Sequence, residues 1–220
     1  MPLWRRTAVA AAFVGATLGL GGPQQTTGAT DGTTSASSAE IPDSLRYLIE
    51  DSTYQGMSPP ARKRLEEMVE WPEPYILIDK PNATGYVIGA DHRIQATFPV
   101  LLGRERGDQP NTVNVKIDSP VSPGATTPAG MFRLSRAKLT EKDFEEYNDN
   151  IFRLDGPGAG GNSIHETWRG ELTSREQALA TPTPEDNRVS WGCVNISKAV
   201  FETHVKQLPS GTVVWITPEA

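Results

Sequence analysis

The chain contains a single cysteine, Cys193, within Arg188-Val-Ser-Trp-Gly-Cys-Val-Asn-Ile-Ser197. One thiol forbids an intramolecular disulfide and any multi-cysteine metal site, so Cys193 is buried filler, an intermolecular linker or a reactive group. Free cysteine is among the most buried residue types, which favours the first reading on residue type alone. The reactive reading requires a base, because only the thiolate is a good nucleophile, and a third group to orient that base. Three histidines are available: His92, His165 and His204. His92 lies in Gly89-Ala-Asp-His-Arg-Ile94, a polar turn between two β-type runs, and is expected to face solvent. His204 follows Phe201 and precedes Leu208 on a helical pattern, as a flank residue. His165 ends Gly156-Pro-Gly-Ala-Gly-Gly-Asn-Ser-Ile-His165, a glycine-rich loop entering a brief strand, where scaffolds commonly present working side chains. His165 is therefore the candidate base. The glycines at 156–161 lack the Lys-Ser/Thr and helix opening of a phosphate loop.

The elements that must position these residues are mostly short. Ser44 before Leu45, Leu48 and Ile49, and Ser58-Pro59 before Leu65, Met68 and Val69, predict two short helices within 41–70. From Trp71 the sequence breaks into β-rich runs at Tyr75–Asp79, Gly85–Ala90, Ile94–Leu102, Val113–Ile117, Met131–Ser135, Ile151–Leu154 and Thr212–Ile216, separated by Gly, Pro, Asn and Asp. Thr140–Asn150 predicts a short helix or surface excursion. Ser197–Leu208 predicts a helix with Val200, Phe201, Val205 and Leu208 inward, stopped by Pro209-Ser210-Gly211. The expected class is mostly β, a β-sandwich or small barrel with a few short helices. With 20 Gly and 18 Pro in 220 residues, an all-helical bundle is excluded.

Net charge is −6, from 21 basic and 27 acidic residues, which removes nucleic acid as a partner. Arg5 and Arg6 followed by the apolar run 7–20 predict an export signal over 1–29, with an uncleaved membrane anchor as the runner-up. Residues 30–40, Thr/Ser/Gly-rich, predict a flexible linker. The expected organisation is thus signal, linker, a helical segment over 41–70 and a catalytic domain over 71–220. No metal-ligand spacing is visible and no cofactor is expected.

Ser190-Trp191-Gly192-Cys193-Val194-Asn195, with Ile164-His165 upstream, resembles the catalytic signature of the YkuD-type L,D-transpeptidases. Further pieces occur in the family's order: Leu77-Ile78-Asp79 with Gly85-Tyr86-Val87, Pro99-Val100 leading to Gly103, Thr127-Pro128-Ala129-Gly130-Met131-Phe132, and Gly211-Thr212-Val213-Val214-Trp215-Ile216. The resemblance covers about residues 72–217. It implies the L,D-transpeptidase catalytic fold and a peptidoglycan transferase sensitive to carbapenems, exported to the periplasm or cell wall. Its donor and acceptor partners would be peptidoglycan stem peptides, with contact to the membrane only through an uncleaved signal. Cys193 becomes the nucleophile and His165 the base, oriented by a backbone carbonyl such as that of Glu166. The amides of Gly192 and Cys193 become oxyanion donors. Ser190 and Asn195 hold the nucleophile turn or contact substrate, Trp191 walls the pocket, and Arg188 is a candidate anchor for a substrate carboxylate, with Arg133 a weaker one. The same site would serve an L,D-carboxypeptidase or protein-to-wall attachment, and a module that kept the fold without turnover would bind the wall only. This chain departs from the pattern with Trp191 where histidine is common and with Glu166-Thr167 after the base. The 28 positions from His165 to Cys193 are also longer than usual, so Thr173–Asn187 reads as an enlarged loop over the substrate groove.

Overall fold

In a computed structural model, residues 51–109, 125–147, 149–167, 172–181 and 183–220 are described. They fall in one unit, Glu40–Ala220. The expected signal, the linker, the helix around Leu45–Ile49 and the strand Val113–Ile117 lie outside them. None of the described helices is long and apolar enough to cross a membrane.

Ser58 caps a helix as its pattern predicts, its hydroxyl accepting the N–H of Ala61 with Pro59 at the first helical position. This helix, α2 (Pro59–Glu67), follows a single turn, α1 (Ser52–Gly56). The strands are β1 (Tyr75–Asp79), β2 (Thr84–Ile88), β3 (Ile94–Pro99), β4 (Leu102–Gly103), β5 (Gly130–Ser135), β6 (Ile151–Asp155), β7 (Ser163–Glu166), β8 (Arg188–Ser190), β9 (Val194–Ile196) and β10 (Val213–Ile216). Helix α3 (Glu141–Tyr147) precedes β6, and α4 (Leu172–Ala180) lies between β7 and β8. The Ser197 helix forms as α5 (Lys198–Val200) but continues as a π-helical turn, Phe201–Val205. The class is mostly β, as expected.

Eight strands form one mixed sheet in the order β3-β2-β1-β10-β5-β6-β7-β9, and β4 pairs with β8 in a second, two-stranded sheet. Side chains alternate faces, so register assigns each residue to a side. Ile76, Ile78, Val214, Ile216, Phe132, Leu134, Phe152, Leu154, Ile164, Val194 and Ile196 share one buried cluster with Phe201 and Val205. On the other face, Tyr75, Leu77, Tyr86, Ile88 and Val213 pack beneath Tyr54, Met57, Ala61, Leu65 and Met68 of the helical segment. Those two helices cover only the β1–β2–β10 half. Following the register from Val213 through Arg133, Asp155 and the pairs Arg153–Ser163, Ile151–His165 and His165–Asn195, the same outer face of the β5–β9 half carries polar side chains. That half holds the candidate site.

Phe201 is fully buried and stacks on Phe152, ring centroids 6.0 Å apart, directly beneath the strand pair that carries the site. Phe201→Ala is therefore expected to lower the free energy of unfolding by about 3–5 kcal/mol, measured by urea denaturation. A change below about 1 kcal/mol would show that the π-helical turn does not anchor the sheet.

Candidate active site

Strands β7 and β9 run parallel with His165 opposite Asn195 and Ile164 opposite Val194. Ser163 lies two residues before His165 on the same face of β7, and Cys193, just before β9, lies against it, hydrogen-bonded to Ser163 and Asn162. Four polar side chains of two neighbouring strands thus converge, although 28 positions separate the histidine from the cysteine. Behind them, Leu101 exchanges both backbone hydrogen bonds with Asn195, at 2.9 and 3.0 Å, and Arg104 N–H donates to the Ser190 carbonyl at 3.0 Å. The segment 101–104 clamps the turn on which Cys193 sits. Thr127, from the Thr-Pro-Ala-Gly-Met-Phe motif, supports that clamp, its hydroxyl accepting the N–H of Gly103 at 2.8 Å. Phe132 of the same motif belongs to the core.

His165 is buried. Its Nδ1 lies 2.6 Å from the Glu166 carbonyl and its Nε2 lies 3.1 Å from Asn195 Nδ2. A guanidinium N–H of Arg175 donates to Asn195 Oδ1, which leaves Nδ2 as the amide's only group toward the ring. An N–H facing Nε2 requires a lone pair there, and a carbonyl facing Nδ1 requires a proton there. The two contacts select the same neutral tautomer, Nδ1–H with Nε2 as acceptor. Burial pushes the imidazole down to about 4, assisted by the charges of Arg175 and Arg153 and opposed by the Glu166 carbonyl and Asp143. The Tyr147 ring covers the imidazole, centroids 4.3 Å apart and tilted by 42°.

Cys193 is half-buried. Burial pushes its thiol up, against hydrogen bonds from Ser163 and the positive charges of Arg153 and Arg175. Arg153 donates to Ser163 Oγ at 3.0 Å and to Asp143 at 2.6 Å, which holds that cation beside the sulfur. Among the described residues the thiol donates to Asn162 Oδ1 at 3.9 Å rather than to His165. The resting site therefore holds a neutral thiol and a neutral imidazole on one face, not a preformed ion pair.

Gly192 adopts φ +112°, and a Cβ there would lie 2.7 Å from Asn162 Oδ1 and 2.8 Å from the Thr126 carbonyl, so only glycine fits. Its N–H donates to Ser190 Oγ at 3.1 Å, and the Ser190 hydroxyl donates to the Cys193 carbonyl at 2.6 Å. This corrects the expectation of Gly192 as an oxyanion donor, since its amide ties the turn together, and Ser190 holds the turn as expected. Trp191 lies two residues before Cys193, with the guanidinium of Arg104 stacked 3.6 Å above its ring.

Arg188 does not serve as a carboxylate anchor. Its guanidinium is forked on Glu219 at 2.7 and 2.8 Å and donates to the Lys80 carbonyl at 2.9 Å, with the side chain only 6% exposed. Glu219 also faces the fully buried Lys80 at 3.4 Å, so Arg188 fastens the C-terminal residues to the core. Arg133 donates to the Gly211 carbonyl at 2.8 Å across the sheet. His92 sits half-buried in its turn at φ +61°, and His204 is half-buried on the π-helical turn; neither joins the site. The enlarged loop instead contains α4, and Arg175 on that helix is the site residue that sequence reasoning missed. Its spacing three and four positions before Ala178 and Leu179 was the available signal.

The buried imidazole makes stability pH-dependent with a defined sign. The unfolded chain protonates His165 near 6.5 and the folded chain only near 4, so this group's contribution is full above about 6.5 and is lost as pH falls toward 4. Between pH 7 and 4.5 the loss is about 2–3 kcal/mol. In His165→Gln, unfolding followed by denaturant titration over the same range is expected to be less pH-sensitive by that amount. Parallel profiles for the two proteins would contradict a buried neutral His165.

A family model for the L,D-transpeptidase catalytic domain (YkuD) matches residues 73–216. Among solved structures, an L,D-transpeptidase from Mycobacterium smegmatis is 18% identical, with 66% of this chain and 58% of that one covered and a TM-score of 0.39. An L,D-transpeptidase from Xylanimonas cellulosilytica is 16% identical over 71% of this chain and 69% of that one, TM-score 0.39. LdtMt1 in complex with imipenem is 14% identical over 66% and 58%, TM-score 0.41. This chain spans less than two thirds of the length of the first and third of these. No curated protein matches the chain. With more than half of its residues inside the family match, the chain belongs to the L,D-transpeptidase catalytic-domain (YkuD) family.

Proposed function

We propose that the protein is an exported peptidoglycan L,D-transpeptidase in which Cys193 is the nucleophile and His165 the general base. The observation that carries this reading is the shared sheet face on which Asn195, Ser163 and His165 stand beside Cys193, with the ring's Nδ1 against the Glu166 carbonyl and its Nε2 left as the basic nitrogen. For the thiol to reach Nε2, the sulfur leaves Asn162 Oδ1 and the Asn195 N–H gives up the Nε2 lone pair that it holds at rest. The thiol proton passes to Nε2 as sulfur attacks the carbonyl carbon of the third stem residue, and the tetrahedral oxyanion is met by the Cys193 N–H. Collapse forms the thioester and breaks the amide bond to the terminal D-residue, whose amine leaves with the proton from Nε2. An acceptor amine then attacks the thioester, gives its proton to Nε2, and displaces the Cys193 thiolate, which takes that proton back. The neutral resting pair suits this cycle, because His165 must be unprotonated at the start of each half-reaction. Trp191 with Arg104 forms one wall of the groove.

Export is supported by Arg5-Arg6 and the apolar run behind them, which make residues 1–29 the proposed signal and 30–40 the proposed linker to the helical segment and catalytic domain. The partners follow from the chemistry: a tetrapeptide stem as donor and an amine-bearing stem as acceptor.

Intact-mass analysis after addition of a carbapenem tests the nucleophile. One adduct is expected on the wild type and none on Cys193→Ala, with adduct formation slowed about 10²–10⁴-fold in His165→Gln. An adduct that survives in Cys193→Ala, or a wild type that acquires none, would overturn the assignment. With a disaccharide-tetrapeptide as substrate, dimer mass marks transpeptidation, and loss of one D-residue alone marks a carboxypeptidase.

A further inference from the structure

Helix α4 occupies the long excursion between the two proposed reacting residues. Its Ala178 and Leu179 are buried against Leu101, with Val189 packed alongside, and Leu101 is the residue bonded both ways to the Asn195 backbone. Arg175 precedes them by three and four positions and so shares their helix face. It is 4% exposed. A guanidinium so far from water is costly unless its charge and donors are used locally. One of its donors meets Asn195 Oδ1, the atom that decides which way the amide faces His165.

We propose that Arg175 is a positioning residue for acyl transfer: by holding Asn195 Oδ1 it turns the amide Nδ2 onto His165 Nε2 and so keeps the resting ring in the Nδ1–H tautomer, whose Nε2 lone pair takes the Cys193 proton once the Asn195 N–H gives way to the thiol. The inference rests on the reading of Cys193 and His165 as the reacting pair. Without Arg175 the amide is free to rotate by half a turn and present Oδ1 to Nε2. That arrangement is satisfied only with the proton on Nε2, which blocks the base and sets the Nδ1 lone pair against the Glu166 carbonyl. Asn195 alone cannot choose between these states, because its two ends have nearly the same shape. The buried cation settles the choice, since a guanidinium has no acceptor and can only face the oxygen.

The same charge acts on the thiol. The groups facing the pair are Arg175 from α4, Arg153 with its partner Asp143 from β6 and α3, Tyr147 from the end of α3, and Ser163 and Asn162 from the start of β7. The Glu166 carboxylate is engaged by Asn150 at 2.7 Å. Loss of Arg175 removes a cation that favours the deprotonated form of both Cys193 and His165, so both limbs of a pH–rate profile move to higher pH. A purely structural arginine would alter stability and leave both limbs in place.

The test is the rate of Cys193 alkylation by iodoacetamide between pH 4 and 10 in the full chain, with carbapenem acylation at pH 7 and thermal unfolding measured alongside. Arg175→Gln is expected to lower the alkylation rate at pH 7 about tenfold and to move the thiol limb upward by about one pH unit. Arg175→Lys, which keeps the charge without the fork, is expected to hold the limb in place yet acylate more slowly. Asn195→Ala removes the link and leaves the charge, so it should slow acylation with the thiol limb unmoved, and it remains informative if Arg175→Gln does not fold. Combining Arg175→Gln with Asn195→Ala should give carbapenem acylation within about twofold of the slower single variant. An unmoved limb in folded Arg175→Gln, unimpaired acylation in Asn195→Ala, or losses that multiply in the double variant would each overturn the proposal. Because alkylation needs no transpeptidase substrate, failure of the wild type to bind a carbapenem would count against the proposed function and leave the limb positions as an independent reading of Arg175.

Discussion

The register between β7 and β9 is the constraint on which the site depends. His165 stands opposite Asn195, and a slip of one residue in either strand would send the histidine and the cysteine to opposite faces of the sheet. Three features hold the register. Ile164, Val194 and Ile196 fill the apolar core on the reverse face, so a slip would bury polar groups there. Leu101 fixes the Asn195 backbone from the outer side with two hydrogen bonds. Thr167 N–H donates to the Ile196 carbonyl at 3.0 Å, which extends the β7–β9 pairing past the strand end.

Given that register, the chemistry of the face follows from burial. His165, Cys193, Arg153 and Arg175 meet at this face, with Asp143 and Tyr147 beside them. Desolvation pushes the imidazole down and the thiol up, and both end neutral. A neutral pair with a fixed tautomer is poised rather than charged. The two cations, Arg153 held on Ser163 and Arg175 carried by α4, both favour negative charge on the sulfur.

Much of this was legible in the sequence where the determinants are local. β1 was readable to the residue from Tyr75-Ile-Leu-Ile-Asp79, and β5, β6 and β10 to within a residue, because β-branched and aromatic runs bounded by turn residues need no partner to declare themselves. The Ser58-Pro59 helix start is local in the same sense. The short strands β8 and β9 went unread, since three residues around Trp-Gly-Cys carry no period. What failed were judgements that depend on distant partners. Arg188 looked like a free cation for substrate because Glu219, its partner, lies 31 positions away, and Gly192 looked like an oxyanion donor because its bond to Ser190 Oγ exists only in the folded turn. Thr173–Asn187 looked like loop because its polar residues hide the Arg175, Ala178, Leu179 face of a helix. The Glu166 carbonyl beside His165, by contrast, could be anticipated, because it belongs to the adjacent peptide.

The central claim is that His165 rests neutral, with its proton on Nδ1 and its lone pair on Nε2. Nitrogen-15 NMR of imidazole-labelled protein reads both facts, with the His165 signals assigned by their loss in His165→Gln. The account predicts a protonated Nδ1 and an unprotonated Nε2 that persist as pH is lowered, with titration near 4. A ring that titrates near the ordinary 6.5, or that carries its resting proton on Nε2, would contradict it.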